Sequence, residues 1–396
     1  MEIKQEGIGS VPLYRDRNLQ IVFGITLMAV MGVASISPAF PAIIAEFRLS
    51  PRDIGWLISV FTLPGVVLAP LLGVLADRWG RKRILVPSLF IFSMAGVGCV
   101  FAGTYTQLLV LRFFQGVGAA AIGSLNVTLI GDLFSGKQRG AAMGYNASVL
   151  SIGTACYPLI GGLLAVVGWN FPFLLPLLAV PVALLVLFVL KNPEPQKQQS
   201  LSAYFRRILS ALNLEVFGLY LASCVTFIIL YGSYLTYYPI LIERRFSGGP
   251  VEIGVVMSLM SFSTAFSSAQ LGRLVQRFSE SSLIRASYLL YAAALVLMLW
   301  LPNMSLQVLP ALLYGVAHGI NFPSIQTILA GIAPLEQRAA FMSLNGMVLR
   351  LGQTLGPLLM GFVYNFGGIG ASFYAGAILG LGMAGLAIWL IPKAQG

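Results

Sequence analysis

Arg112, His318 and Arg350 are the residues of this chain best placed to do chemistry, because each sits inside a long apolar stretch. An arginine in mid-bilayer costs roughly 2.5–3.5 kcal/mol on insertion scales, so it is rarely retained idly. Arg350 can hold a carboxylate through two parallel hydrogen bonds. His318, the single histidine, titrates near neutrality and can carry a proton; it can equally serve as a structural hydrogen-bonding group. His318 and Arg350 each lie about 13 residues into their stretches, roughly 20 Å along a helix and so near mid-depth. Arg112 lies in the outer third of its stretch, where it either works in the bilayer or snorkels to the surface. No Asp or Glu occupies the middle of any apolar stretch.

Amides share this depth: Asn126, Asn146, Asn321, Asn345, Gln326 and Gln353. Tyr231, Tyr234, Tyr237 and Tyr238 mark one stretch, and Ser258, Ser261, Ser263, Thr264 and Ser267 another. Such groups either line a path for a polar solute or bond helices to one another. On the first reading the cavity candidates are Asn126, Asn146, Tyr231, Tyr234, Ser261, His318, Asn321, Asn345 and Arg350. With His318 protonated that cavity is net positive, which disfavours a lipophilic cation and suits a neutral or carboxylate-bearing solute. One histidine, no Cys–His cluster and no paired carboxylates exclude a catalytic triad or a metal site, so no enzyme and no cofactor are expected. No nucleotide-binding motif is present, so ATP is not used directly.

The elements that carry these groups are membrane helices. Mean hydropathy is +0.87 and 9% of residues are charged, against about 25% in a soluble domain. A bilayer core about 30 Å thick needs about 20 apolar residues per helix. Twelve stretches qualify: 19–45, 54–76, 84–102, 107–133, 140–167, 171–190, 216–242, 253–275, 283–301, 306–332, 339–366 and 371–391. The net charge of +11 records topology rather than nucleic-acid binding. With both termini in the cytoplasm, 18 of the 24 Lys and Arg lie on that side, Arg48, Arg52, Arg244 and Arg245 lie outside, and Arg112 and Arg350 lie within spans. That is the positive-inside bias of a membrane protein; the expected location is a plasma membrane, namely a prokaryotic inner membrane. The polar first 18 residues show no cleavable signal, so the first helix is expected to stay. Cys99, Cys156 and Cys224 fall within spans without ligand spacing, and no disulfide is expected.

The chain is also written twice. An offset of 199 residues places Pro51, Ile54 and Gly55 on Pro250, Ile253 and Gly254, and Gly73 and Arg78 on Gly272 and Arg277. From Gln138 to Gly162 against Gln337 to Gly361 there are 11 identities in 25 positions, Asn146 on Asn345 and Pro158 on Pro357 among them. Two parallel copies in a membrane chain place a binding site at the interface of two bundles related by an axis along the membrane normal, with Asn146 expected to face Asn345 across the cavity. The units are 1–190 and 215–396, joined by a linker at 191–214. In the linker, Asn192-Pro193-Glu194-Pro195 breaks the sixth helix. Leu201, Tyr204, Phe205, Ile208, Leu209 and Leu212 then follow at helical spacing, as an amphipathic helix on the cytoplasmic face or a linker periodic by chance.

Three motifs remain. Gly73-Val-Leu75-Ala76-Asp77-Arg78-Trp-Gly80-Arg81-Lys82-Arg83 joins the second and third spans. Gly73 permits close approach of another helix. Asp77 ends a helix, where the dipole disfavours a carboxylate, so it needs a partner: Arg81 or the N-terminus of a neighbouring helix. Asp132 ends the fourth span within reach of the same cluster. The fourth span holds Arg112-x-x-Gln115-Gly116-x-Gly118-Ala119-Ala120, and the fifth Gly153-x-x-x-Tyr157-Pro158-x-x-Gly161-Gly162, echoed by Gly352-x-x-x-Gly356-Pro357-x-x-Met360-Gly361. Proline and small residues bend such helices and let them pack closely.

The first motif resembles the loop signature G-x-L-A-D-R-x-G-R-K of the major facilitator superfamily. The second resembles its fourth-helix signature in proton-coupled members, and the third its antiporter signature G-x-x-x-G-P-x-x-G-G, with Tyr157 in place of a Gly. The resemblance covers the whole chain and implies an all-α membrane protein of 12 helices in two pseudo-symmetric six-helix bundles. It implies a secondary transporter that moves a small organic solute by alternating access, as proton-coupled efflux. The alternative is an importer, symporter or uniporter, of a polar metabolite or organic anion. It also implies an inner gate formed by Gly73, Asp77, Arg78, Arg81 and Asp132, and proton coupling, for which Arg112 of the fourth-helix signature and, by its own chemistry, His318 are the candidates. Gly153, Pro158, Gly162, Gly352 and Pro357 would then serve packing and kinking. The expected partners are the solute, protons and the bilayer, with the chain a monomer. Exporters of cationic drugs in this family commonly place a carboxylate in the first helix, and Gly32-Val-Ala-Ser35-Ile-Ser37-Pro38 offers none.

Overall fold

In a bilayer every backbone N–H and C=O must be satisfied inside the chain, and long apolar sequences do this as helices. The computed structural model describes residues 12–191, 213–333 and 338–391; the expected amphipathic helix at 201–212 lies outside them. Ten spans are separate: α1 Arg17–Glu46, α2 Gly55–Trp79, α3 Arg81–Val100, α4 Tyr105–Leu133, α5 Gly136–Val167, α6 Phe171–Phe188, α7 Leu214–Phe246, α8 Pro250–Leu274, α9 Glu280–Trp300 and α10 Met304–Ile332. The last helix, Arg338–Leu390, has 53 residues. That is about 80 Å, more than twice the apolar thickness of a bilayer. Gly367 (φ −156°, ψ 23°) and Gly368 (φ 63°, ψ −154°) break it. Gly368 adopts the left-handed conformation that favours glycine. The break yields α11 (338–366) and α12 (369–390), and with them the expected twelve spans.

Three spans are less regular than their hydropathy implies. In α1 the helix gives way to a 3₁₀ turn at Ser37–Ala39. Pro38 has no N–H to give, and around the turn the Ser35 and Ser37 hydroxyls donate to the carbonyls of Met31 and Val33. In α6 the first eight residues, Phe171–Leu178, are 3₁₀, with Pro172 and Pro176 removing donors. In α7 a π-helical stretch, Ile229–Tyr237, precedes Pro239. There the Thr236 hydroxyl donates to the Tyr231 carbonyl five residues back, at 2.6 Å.

Outward faces are apolar, with Met94, Phe188, Phe262 and Phe366 exposed, as lipid requires. Trp56 and Trp300 near one face, and Trp79 and Trp389 near the other, form the aromatic belts of the two interfaces. Inside each bundle, glycines let helices touch, and they do so twice over. A Cβ on Gly116 of α4 would lie 2.1 Å from the Phe61 carbonyl oxygen of α2. The residues 199 further on repeat this: a Cβ on Gly315 of α10 would lie 2.3 Å from the Met260 carbonyl oxygen of α8. The internal repeat of the sequence is therefore a repeat of helix crossings. Between the bundles, α2 packs on α11 and α5 on α8.

Candidate functional site

The face at which α1 begins and α12 ends is called here the terminal face, and the opposite one the far face. On the terminal face α2 ends at Gly80, whose φ of 94° turns the chain straight into α3. That turn brings Arg81, 5% exposed, against two carboxylates. Its Nη1 donates to Asp77 Oδ1 and its Nε to Asp132 Oδ2 at 2.9 Å. Asp77 and Asp132 each sit in the last turn of a helix, where the dipole repels them, and one guanidinium compensates both. Of the partners open to Asp77, Arg81 is the one present. Arg78 is exposed and stands outside the cluster. Gly73 differs from expectation: a Cβ there would meet nothing within 4 Å, because the helices around it are splayed at this face.

The interface between the bundles explains that splaying. Near the far face, a Cβ on Gly55 of α2 would lie 2.9 Å from the Pro357 carbonyl oxygen of α11, and one on Gly254 of α8 would lie 2.5 Å from that of Pro158 of α5. These contacts are related by the 199-residue offset. Two more, Gly162 on Pro250 (2.3 Å) and Gly361 on Arg52 (3.1 Å), correspond to within one residue. Deeper in, Ser59 donates to the Thr354 carbonyl at 2.7 Å, and the Thr62 and Thr354 hydroxyls meet at 2.9 Å. Deeper still, Arg350 of α11 lies against Gly65 of α2 and Gly123 of α4: Cβ atoms there would fall 2.2 Å and 2.5 Å from its guanidinium nitrogens. Beyond it, toward the terminal face, Cβ atoms on Gly73, Gly140, Gly144, Gly272 and Gly346 would meet nothing within 4 Å. The bundles are closed together on the far side and parted on the terminal side. Of the expected kink and packing residues, Pro158, Gly162 and Pro357 lie at this contact, while Gly153 packs on Leu27 and Gly352 on Cys224 within their own bundles.

The other polar candidates lie inside one bundle or the other. Arg112 is fully buried: Nε donates to the Leu57 carbonyl at 3.2 Å, Nη1 to Gln115 Oε1 at 2.7 Å, and the guanidinium stacks 4.0 Å from the Phe61 ring. It does not snorkel; it ties α4 to α2. Asn126 donates to Thr26 Oγ1 at 3.1 Å, and Thr26 donates to Asn146 Oδ1 at 2.6 Å, so one threonine of α1 joins α4 and α5. The second bundle repeats the device. Thr226 of α7 donates to Asn321 Oδ1 at 2.7 Å, and Asn321 donates to Ser287 at 2.7 Å. Asn345 donates to Gln326 at 3.2 Å. Asn146 and Asn345 thus hold equivalent places, turned into their own bundles rather than toward each other. Asn126 and Asn321 are likewise withdrawn from the interface, because each is the partner its threonine requires.

Tyr234 is also withdrawn. It is completely buried, stacked 4.6 Å from Tyr314 and tilted 5.1 Å from Tyr238. Tyr231 is half-buried on Phe227 and within electrostatic reach of Arg350. Ser261 reaches only the Met260 sulfur, at 3.9 Å. His318 of α10 faces α7 and α9: Nδ1 is 2.7 Å from the Tyr291 hydroxyl, the ring meets Phe227 edge-on, and it stacks parallel to Phe322 of its own helix. No carboxylate among the described residues pairs with His318, Arg112 or Arg350.

Thr26, Thr226, Gly65 and Gly123 were absent from the sequence candidates. A lone threonine or glycine in an apolar helix carries no distinguishing signal. Thr26→Val keeps the side-chain shape while leaving the Asn126 amide and the Asn146 oxygen unpaired. The expected destabilisation is about 1–3 kcal/mol, and a fall in the thermal unfolding midpoint of the purified chain measures it. An unchanged midpoint would remove the threonine ties from the account of bundle rigidity.

Two repeated bundles sealed at one face and parted at the other define a membrane transporter rather than an enzyme. The chain matches the Major Facilitator Superfamily over residues 22–305 and again over 222–395, and it belongs to that family. It is 26% identical over 384 residues to the multidrug resistance protein 1 of Bacillus subtilis, covering 96% of this chain and 97% of that one. It is also 26% identical over 363 residues to the class H tetracycline resistance protein of Pasteurella multocida, covering 89% and 90%. Among solved structures, a bacterial homologue of the human lysosomal transporter Spinster, inward-facing and occupied, superposes with a TM-score of 0.82 at 17% identity. That match covers 96% of this chain and 98% of the other.

Proposed function

We propose that this chain exports a small organic solute across a prokaryotic inner membrane, in exchange for protons, as a monomer. The bundles at 1–190 and 215–396 rock about their interface, with the segment 191–214 as the link. The observation that carries the reading is the asymmetry of that interface, tight at Gly55–Pro357 and Gly254–Pro158 and open at Gly73 and Gly272. The positive-inside bias supports a cytoplasmic terminal face, and on that reading this conformation faces inward. Export is supported by relatives named for multidrug and tetracycline resistance, and by the presence of the antiporter-type motif residues Pro158 and Gly162 at the interface. His318, at mid-depth on Tyr291, is the proposed proton carrier, in place of a mid-span carboxylate, which this sequence does not provide.

The test is a proteoliposome assay with an imposed pH gradient, a solute panel and a lumenal pH indicator. Solute and protons are expected to move in opposite directions. His318→Ala is expected to retain solute binding and lose the response to the gradient. Movement of both in the same direction would replace antiport by symport, and solute flux indifferent to the gradient would establish uniport.

A further inference from the structure

We infer that Arg350 is the recognition residue of the transported solute, and that the solute is an organic anion bearing a carboxylate; this rests on the transporter reading above. Residues four apart on a helix share a face, and the face of α11 that carries Arg350 records the boundary of the closed interface. Thr354, one turn toward the far face, is held against α2 by Ser59 and Thr62. Gly346, one turn toward the terminal face, borders open space. Arg350 stands between them, at the floor of the opening, where a solute entering from the terminal face ends its path.

The guanidinium there is uncommitted. It makes no hydrogen bond and no ion pair among the described residues, and every described Asp and Glu lies at a span end or in a connection. Arg112 is the contrast. It is enclosed by Leu57, Gln115 and Phe61 inside one bundle, where Nε and Nη1 are both bonded and Nη2 alone lacks a partner. Arg350 instead crosses from the second bundle into a slot of the first, floored by Gly65 and Gly123, where any side chain would displace it. A cation at mid-depth, at the moving interface and without a built-in counter-charge, is complementary to a counter-charge that arrives with the ligand. A planar guanidinium matches a carboxylate by two parallel hydrogen bonds, which lysine cannot reproduce. The half-buried Tyr231, within electrostatic reach of the same group, supplies an aromatic wall for the organic part. Because the guanidinium touches both bundles, a carboxylate bound to it is also held at the interface that must rearrange.

The test is binding to the purified full-length chain in detergent, read by fluorescence anisotropy. The probes are fluorescein, which carries a carboxylate, and rhodamine 123, a cationic ester on the same ring system. Fluorescein is expected to bind in preference to rhodamine 123. Arg350→Gln should weaken it about tenfold to a hundredfold, as expected for a lost charge-assisted contact, and Arg350→Lys should fall between. Gly123→Ala keeps the charge but crowds Nη2, the flexible end of the side chain, and should weaken binding less than Arg350→Gln. Rhodamine 123 bound in place of fluorescein would overturn the anion class while leaving the transporter reading intact. Equal fluorescein affinity in wild type and Arg350→Gln would overturn the role of Arg350, and no fluorescein binding by a stably folded wild type would overturn the proposal as a whole. Arg350-dependent binding without fluorescein flux in proteoliposomes would uphold the site and count against the transport reading.

Discussion

Gly254→Val is expected to hold the far face partly open and to cut solute transport to about one-tenth or less. The obstacle a side chain meets there is backbone: the Pro158 carbonyl oxygen at 2.5 Å and Leu159 Cα at 3.2 Å. Neither can rotate away, so the two bundles must separate locally. Overpacking of this kind costs about 1–3 kcal/mol, and it falls on the far-closed state alone. That corresponds to about a five- to 150-fold shift between the two states. Gly55→Val, the same position in the other repeat, meets the Pro357 carbonyl oxygen at 2.9 Å and should act in the same direction with a smaller effect. Labelling of Ser59→Cys by a membrane-impermeant thiol reagent added at the far side measures the opening. Cys99, Cys156 and Cys224 are first replaced by alanine in that experiment. Ser59 is 2% exposed and bonded to Thr354 in the closed interface, so labelling should accelerate in both valine variants. Unchanged labelling together with full transport in Gly254→Val would show that the interface does not work as a seal.

Arg81→Ala should lower both stability and turnover, and Asp77→Asn should lower turnover more than stability. Arg81 is 5% exposed, while the Asp77 and Asp132 side chains are 32% and 25% exposed. Removing the guanidinium leaves two neighbouring carboxylates at helix C-termini, each opposed by its dipole. Breaking a fully buried pair costs about 3–5 kcal/mol. Solvent reaches these carboxylates and screens them, so a loss of about 1–3 kcal/mol is expected. Asp77→Asn removes one charge and leaves the Arg81–Asp132 pair to hold α3 against α4. The fold should survive while the surface that must close at the terminal face is altered. Thermal unfolding and initial transport rates separate the two effects. Wild-type turnover by Asp77→Asn would exclude the cluster from gating.

Charge in an apolar chain is scarce, and scarcity made the terminal cluster legible. Asp77, Arg81 and Asp132 fall at helix ends that the span lengths locate, and a carboxylate at a helix C-terminus must find a cation. The twelve spans followed from the bilayer's thickness, and the two-bundle plan from an offset that also pairs Gly116 with Gly315 and Gly55 with Gly254. The direction taken by mid-span polar groups was not legible. Helices here are apolar toward lipid and toward each other, so no contrast around the helix separates a residue facing the interface from one facing its own bundle. Asn126, Asn146, Asn321 and Tyr234 turned inward because Thr26, Thr226 and Tyr314, on other helices, were there to receive them. Nor could the sequence decide which face would be open, since it carries the glycines of both. That choice belongs to the packing of the two bundles, where Gly55, Gly254, Gly162 and Gly361 are in contact while Gly73 and Gly272 stand apart.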